Sequence, residues 1–243
     1  MQEHPHDPPH FTADQFVAYV ARQAQVDLPA FGIRPDVLLT YVSHFPLLDR
    51  WGLKEPSARL FPPPVLTGSD AAVMRGPVGA PLAAATLEEL KALGAQRIWV
   101  LGYAGSLDPR FLLGDVVLVE RALSDEGTSR HYHQDGWGTP APESLAAFPE
   151  GLPRGSLWTT DAIYRETPQK IAHFRTLGCQ LVDMETSCYF HVGASLGLQV
   201  GALMVVSDEL FHPWNPGFGS PPVVAGVTRA YALFRSLLTR DSD

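Results

Sequence analysis

The stretch APLAAATLEELKALGAQRIWVLGYAG, residues 80–105, decides the reading of the fold. Pro81 stands in a first helical turn, where a residue without an N–H is tolerated, and Gly94 stands where a helix stops. Apolar residues recur at helical spacing between them, so 80–94 reads as a helix. A short link leads into Ile98, Trp99, Val100 and Leu101, an apolar run with the character of a buried strand. That strand is expected to end at Gly102. A second glycine follows at Gly105, so the backbone there can approach a ligand closely.

The same alternation continues in both directions. AAVMRG (71–76), DVVLVERAL (115–123), GSLWTTD (155–161), CQLVDM (179–184) and LQVGALMVVSD (198–208) read as strands. FTADQFVAYVARQA (11–24), RPDVLLTYVSHFPLLDRWG (34–52), TPQKIAHFRTLG (167–178), ETSCYFHVGASLG (185–197) and SPPVVAGVTRAYALFRSLLTR (220–240) read as helices, the second ended or bent near Pro46. Strands alternating with helices predict an α/β fold with three α/β/α layers and a central, largely parallel mixed sheet. Prolines cluster in HPHDPPH (4–10), a loose leader; in LFPPPV (60–65), a connector; and in GTPAPESLAAFPEGLPRG (138–155), a surface excursion. No repeat or long linker divides the chain, so residues 1–243 read as a single domain.

Bulk properties exclude several function classes. The formal charge of −8 argues against a nucleic-acid partner, which calls for an excess of Lys and Arg. No apolar run approaches the roughly 18 residues of a membrane helix, so no membrane partner is expected. The polar start MQEHPHDPPHF lacks the basic and apolar parts of a secretion signal, and the expectation is a cytoplasmic protein. Cys179 and Cys188 have neither metal-type spacing nor the makings of a disulfide framework. His4, His6, His10, His131 and His133 lie in Pro-rich or polar stretches and read as solvated, so no metal is expected.

In open α/β sheets ligands collect beyond the carboxyl ends of strands. Four such ends carry chemistry: Gly102 to Gly105, Asp161 with Tyr164, Asp183-Met184-Glu185, and Ser207-Asp208. Each has a structural reading of its own. Glu185 suits a helix N-terminus and Asp208 suits an N-cap. Together on one sheet edge they read as a site.

LVDMETSCYF (181–190) resembles the Glu-Met-Glu element of the nucleoside phosphorylase family, which includes hexameric purine nucleoside phosphorylases, uridine phosphorylases and related nucleosidases. VVSD (205–208) is similar to the catalytic strand of its purine-acting branches. RGPVGAPLAAATLEEL (75–90), GYAGSLDPRFLLGDVVL (102–118) and DEGTSRHY (125–132) match in order and spacing. The similarity spans about 70–240, and residues 1–65 diverge.

The resemblance implies a pentosyltransferase that cleaves the N-glycosidic bond of a purine-type nucleoside phosphorolytically, through a transition state with oxocarbenium character. Glu185 would hold the ribose hydroxyls and Met184 the sugar's apolar face. Asp208 would protonate the departing base, directly or through water; an apolar strand end suits that role by desolvation. Ile163, Tyr164 and Asp161 would line the base, and Thr167 and Gln169 replace the residues with which uridine-specific members read uracil. Asp183 reads as structural. No cofactor is implied. Inorganic phosphate would be the co-substrate of a phosphorolytic reaction, and sites shared between subunits imply a homodimer or homohexamer.

The phosphate side departs from the family pattern. Val100 stands where phosphorolytic members carry an arginine, and Tyr103 where they carry a small hydroxyl residue. No Gly-Asp-Pro-x-Arg loop occurs; Arg50 in HFPLLDRWG is the nearest counterpart. Gly102, Tyr103 and Arg75 are the candidates for the phosphate or water side. The alternatives are therefore a nucleosidase that uses water, or a nucleoside-binding protein without catalysis. A nicotinamide site is disfavoured because GYAGSLDPRFLLG lacks Gly-x-Gly-x-x-Gly spacing, and a serine hydrolase because Gly-x-Ser-x-Gly is absent. FHPWNPGF (211–218) reads as a lid over the base.

Overall fold

A computed structural model describes residues 9–42, 51–62, 65–133 and 136–238. Helix α1 (Ala13–Ala24) opens on a capping box in which the Gln15 amide donates to Thr12 Oγ1 and the Thr12 amide to Gln15 Oε1. Then come β1 (Asp36–Thr40), β2 (Val65–Thr67), β3 (Ala71–Arg75), α2 (Ala80–Ala92), β4 (Arg97–Ser106) and β5 (Val116–Asp125). The chain continues through β6 (Trp137–Gly138), α3 (Pro142–Ala146), β7 (Arg154–Thr160), α4 (Pro168–Thr176) and β8 (Leu181–Asp183). It closes with α5 (Thr186–Leu196), β9 (Gln199–Glu209), β10 (Asn215–Pro216) and α6 (Pro221–Leu238). Among the described residues no helix is long and apolar enough to cross a membrane.

The strands form one mixed sheet in the order β10-β9-β5-β7-β8-β4-β1-β3-β2, with β6 beside β5. Strands β1, β3, β4 and β9 pair in parallel, as do β5, β7 and β8. The two sets meet antiparallel at β5–β9 and β4–β8. Because β9 also pairs with β4, the strands β4, β8, β7, β5 and β9 close into a ring. Helices α2 and α5 cover one face with Leu87, Leu90, Tyr189 and Phe190. Helix α6 covers the other with Val223, Val227 and Phe234. Each such large apolar side chain contributes roughly 1.5–3 kcal/mol on burial.

Three expectations need correction. Within 34–52, residues 36–40 are not helical: they form β1, between β3 and β4, and all five are buried. A strand covered on both faces shows no alternation, and its continuous apolar run cannot be told from a helix by period alone. Residues 43–50, including Arg50 and Pro46, lie outside the described residues. Strand β4 does not end at Gly102 but runs through Gly105 to Ser106. Both glycines are places of close approach: a Cβ at 102 would lie 2.7 Å from Met204 Sδ, and one at 105 only 2.4 Å from Leu210 Cδ1. Finally, 138–155 is not only a surface excursion. Phe148 is buried with its ring edge-on to Trp99 and Phe234, 5.6 Å from each.

Candidate functional site

Three of the four strand ends, at Gly102–Gly105, Asp183-Met184-Glu185 and Ser207-Asp208, line one cavity, and they do not all share a direction. Strand β8 runs antiparallel to β4, with Val182 opposite Gly105 and Leu181 opposite Ser106. The chain beyond Val182 is thereby carried back along β4, which brings Asp183, Met184 and Glu185 to the flank of Gly102–Ala104. Strand β9 runs parallel to β4 with Val206 beside Ala104, and the register then slips so that Asp208 falls beside Gly105. A bulge of this kind re-aims a side chain at a sheet's end.

These segments surround a cavity of about 230 Å³, below the roughly 300–1,000 Å³ of drug-sized sites. Glu185, Met184, Asp208, Gly102, Tyr103 and Ile163 all line it. Tyr164 does not: it is 97% exposed and points away from the cavity wall. Asp161 is also outside, its carboxylate accepting the Gly127 amide at 3.0 Å. Arg75, at the exposed end of β3, is not among the lining residues. His10 is exposed, while His4 and His6 lie outside the described residues. His131 is exposed, and His133 stacks on His191 at 5.4 Å. Among the described residues no group of three or more His, Cys, Asp or Glu is placed to hold a metal.

Glu185 is buried, and its Oε1 accepts the Gly79 amide at 2.6 Å. Gly79 caps α2, so this carboxylate occupies an amide at the helix N-terminus that would otherwise face an anion. Asp183 accepts from Thr159 Oγ1 at 2.8 Å, from the Thr186 amide at 2.9 Å and from the Thr186 hydroxyl. Burial raises both carboxyls. The Thr186 and Thr159 donors oppose that rise at Asp183, while the charge of Asp183 adds to it at Glu185.

Asp208 is oriented by two donors. Ser207 Oγ reaches Oδ1 at 2.7 Å and Trp214 Nε1 reaches Oδ2 at 3.0 Å. The 211–218 segment therefore meets the site at two points, because Phe218 also stands edge-on to Tyr103 at 5.8 Å and lines the cavity.

Two lining residues carried no sequence signal. Tyr41, just past β1, meets the Tyr189 hydroxyl at 2.6 Å and donates to the Pro77 carbonyl at 2.7 Å. Glu166, after the 3-10 turn Ile163–Arg165, brings a fourth carboxylate. Burial, and then the charge of Asp208, push Glu166 up to about 7 against the opposing pull of Lys170. Among the described lining residues Glu166, Asp183, Glu185 and Asp208 are acidic, and none is Lys, Arg or His.

A mixed sheet between helices carries a cleft walled by acidic residues at the ends of β4, β8 and β9. The model of the phosphorylase superfamily matches residues 64–218, and the chain belongs to that family. Uncharacterized protein R802 of Acanthamoeba polyphaga mimivirus is 32% identical over 133 residues, 54% of each chain. Guanosine phosphorylase of Halorubrum lacusprofundi is 26% identical over 151 residues, 59% of this chain and 63% of that one. The chain thus spans just over half to under two-thirds of the length of these two relatives. The crystal structure of AMP nucleosidase from Bacteroides thetaiotaomicron superposes with a TM-score of 0.69 at 23% identity, covering 93% of this chain and all of that one, a likeness of fold.

Proposed function

We propose that this protein cleaves the N-glycosidic bond of a purine nucleoside and transfers the sugar to water. Glu185 and Met184 hold the ribose. Water adds to C1′ as the bond to the base breaks; the bonding pair leaves with the base, whose imidazole nitrogen takes a proton from Asp208. The proton released by the water passes to an ionised carboxylate of the cavity.

The observation that carries the choice of water is the cavity lining: beside its four acidic residues there is, among the described lining residues, no Lys, Arg or His to hold a phosphate dianion. A dianion there finds no charge-assisted donor and is repelled by each carboxylate that is ionised. An ionised carboxylate of the cavity also stabilises the positive charge that develops on the ribose. Val100, where phosphorolytic relatives carry an arginine, is fully buried, and the Gly79 amide is occupied by Glu185. The resemblance further supports a homodimer or homohexamer, checked by light scattering.

The test is a panel of adenosine, inosine, guanosine and uridine with and without phosphate. Free purine and ribose in both arms are expected. Cleavage of uridine alone would overturn the base assignment, and ribose 1-phosphate formed only with phosphate would overturn the acceptor.

A further inference from the structure

We infer that Tyr41 is a positioning residue for Glu185: its hydroxyl holds the segment ahead of α2 so that the Gly79 amide meets the carboxylate that grips the ribose. The role of Glu185 on the ribose rests on the reading above; the contacts that place Tyr41 do not depend on it.

Tyr41 follows β1, the strand held between β3 and β4, and lines the cavity. Its amide donates to the Leu101 carbonyl of β4 at 3.0 Å, and one residue back the Thr40 carbonyl accepts the Gly76 amide at 2.9 Å. Two glycines make room for the ring. A Cβ at 76 would lie 2.5 Å from Tyr41 Cε2 and 2.6 Å from Cζ, and one at 102 would lie 3.8 Å from Cδ2. At 76 only glycine lets the ring stand where it does.

The hydroxyl closes a loop of contacts. It donates to the Pro77 carbonyl at 2.7 Å and lies 2.6 Å from the Tyr189 hydroxyl. A carbonyl only accepts, so the single proton of Tyr41 is committed to Pro77, and Tyr189 donates to Tyr41. Tyr189 stands in the first turn of α5, where its amide donates to the Glu185 carbonyl at 3.1 Å. Glu185 Oε1 in turn accepts the Gly79 amide at 2.6 Å, two residues beyond Pro77. The path thus runs from Glu185 through Tyr189, Tyr41, Pro77 and Gly79 back to Glu185. Burial pushes both hydroxyls above the ordinary tyrosine range, so the chain of donors keeps its protons at neutral pH.

One other side chain of α5 reaches this segment: Cys188 Sγ lies 3.2 Å from the Ala80 carbonyl, and a thiol is a weak donor. Tyr41 is the stronger tether of the two. Without its hydroxyl the Pro77 carbonyl loses its donor, the segment relaxes, and Glu185 loses the amide that fixes its orientation. The loss falls on the ribose hydroxyls and spares the base.

Two variants separate the hydroxyl from the ring. Tyr41→Phe removes only the hydroxyl, and Gly76→Ala keeps it but drives the ring from its seat. Amide hydrogen exchange followed by NMR is expected to speed roughly 10-fold at Gly79 in both, the scale of a buried hydrogen bond left unmade. Thermal unfolding shows that each variant is folded. In kcat/KM, the preference for inosine over 2′,3′-dideoxyinosine, which lacks the ribose hydroxyls, is expected to fall by a similar factor in Tyr41→Phe. A residue that merely supported the fold would lower both substrates alike. Unchanged Gly79 exchange in a folded variant, or an unchanged preference, would overturn the role. Calorimetric binding of the two nucleosides reads the same preference without turnover. Absence of cleavage would then count against the proposed reaction alone. Binding of neither nucleoside would count against the nucleoside reading, and the Gly79 exchange would still decide for or against Tyr41.

Discussion

The Gly79 amide donates to Glu185 Oε1 at 2.6 Å, joining the N-terminus of α2 to the segment between β8 and α5. The contact links the helix dipole to the cavity wall. It also leaves Glu185 beside Asp183 in a site too buried to ionise both at ordinary cost.

Replacing Glu185 should separate function from stability. Glu185 holds its proton above the ordinary glutamate range because of burial and then Asp183, so the folded state binds more protons than the unfolded one there. Stability from this group is therefore full below the unfolded pKa and is lost as pH rises through the raised folded one. Glu185→Gln is neutral at every pH. It should flatten that decline and gain on the order of 1 kcal/mol at alkaline pH, about 2–4 °C in Tm, while sharply reducing turnover. Thermal unfolding of both proteins across neutral and alkaline pH, paired with a nucleoside assay, checks this.

Asp208→Asn should lower kcat by roughly 10²–10⁴, the usual contribution of a positioned acid. The amide still accepts from Ser207 or Trp214, so circular dichroism and Tm should stay close to wild type. Retained activity in a folded variant would remove Asp208 from the chemistry.

Gly105→Ala should harm activity more than stability. The added Cβ would meet Leu210 Cδ1 at 2.4 Å and Val182 Cγ1 at 3.1 Å, and would lie 3.6 Å from Asp208 Oδ2. Overpacking of this kind costs about 1–3 kcal/mol. Leu210, two residues after Asp208, must give way, and a shift of about 1 Å passed on to the acid costs on the order of 10²-fold in rate. Urea unfolding beside kcat/KM separates the two effects.

Glu126 is a structural counterpart to the site carboxylates. Burial raises its pKa, but donors from Ser129, Ser124 and the Thr128 amide outweigh burial and leave it low. Ser124 Oγ reaches it at 2.8 Å and the Thr128 amide at 2.5 Å, and Ser187 Oγ from α5 lies at 3.2 Å. Its stabilisation is present above the ordinary glutamate pKa and is lost as pH falls through the lowered folded value. Glu126→Gln should cost about 1.5–3 kcal/mol at neutral pH, and the difference from wild type should shrink in acid. Denaturant titrations at neutral and acid pH measure both.

Much of this was legible in the chain. Pro81 and Gly94 bracket α2 because helix ends have local chemistry, and the long β4, β5 and β9 carry unmistakable apolar runs. Strand β1 was not legible, because burial on both faces erases the alternation that marks a strand. Among site residues, Glu185, Met184 and Asp208 stand at strand ends where sequence reasoning looks for them. Glu166 does not: it is a loop glutamate whose place on the wall is created by the turn after β7. Tyr164, placed beside the base by the resemblance, stands exposed on the turn Ile163–Arg165 and is not among the lining residues. The antiparallel meeting of β8 with β4, which assembles the site, depends on a three-residue strand paired at two positions, too short to leave a pattern.

The most direct measurement of the acceptor is the fate of isotopic oxygen. Adenosine or inosine is incubated with the protein in ¹⁸O-labelled water containing saturating phosphate, and the sugar is analysed by mass spectrometry before exchange. Free ribose labelled at C1′ is the expected product. Ribose 1-phosphate without the label would contradict hydrolysis and show that the cavity admits phosphate without a cation among its described lining residues.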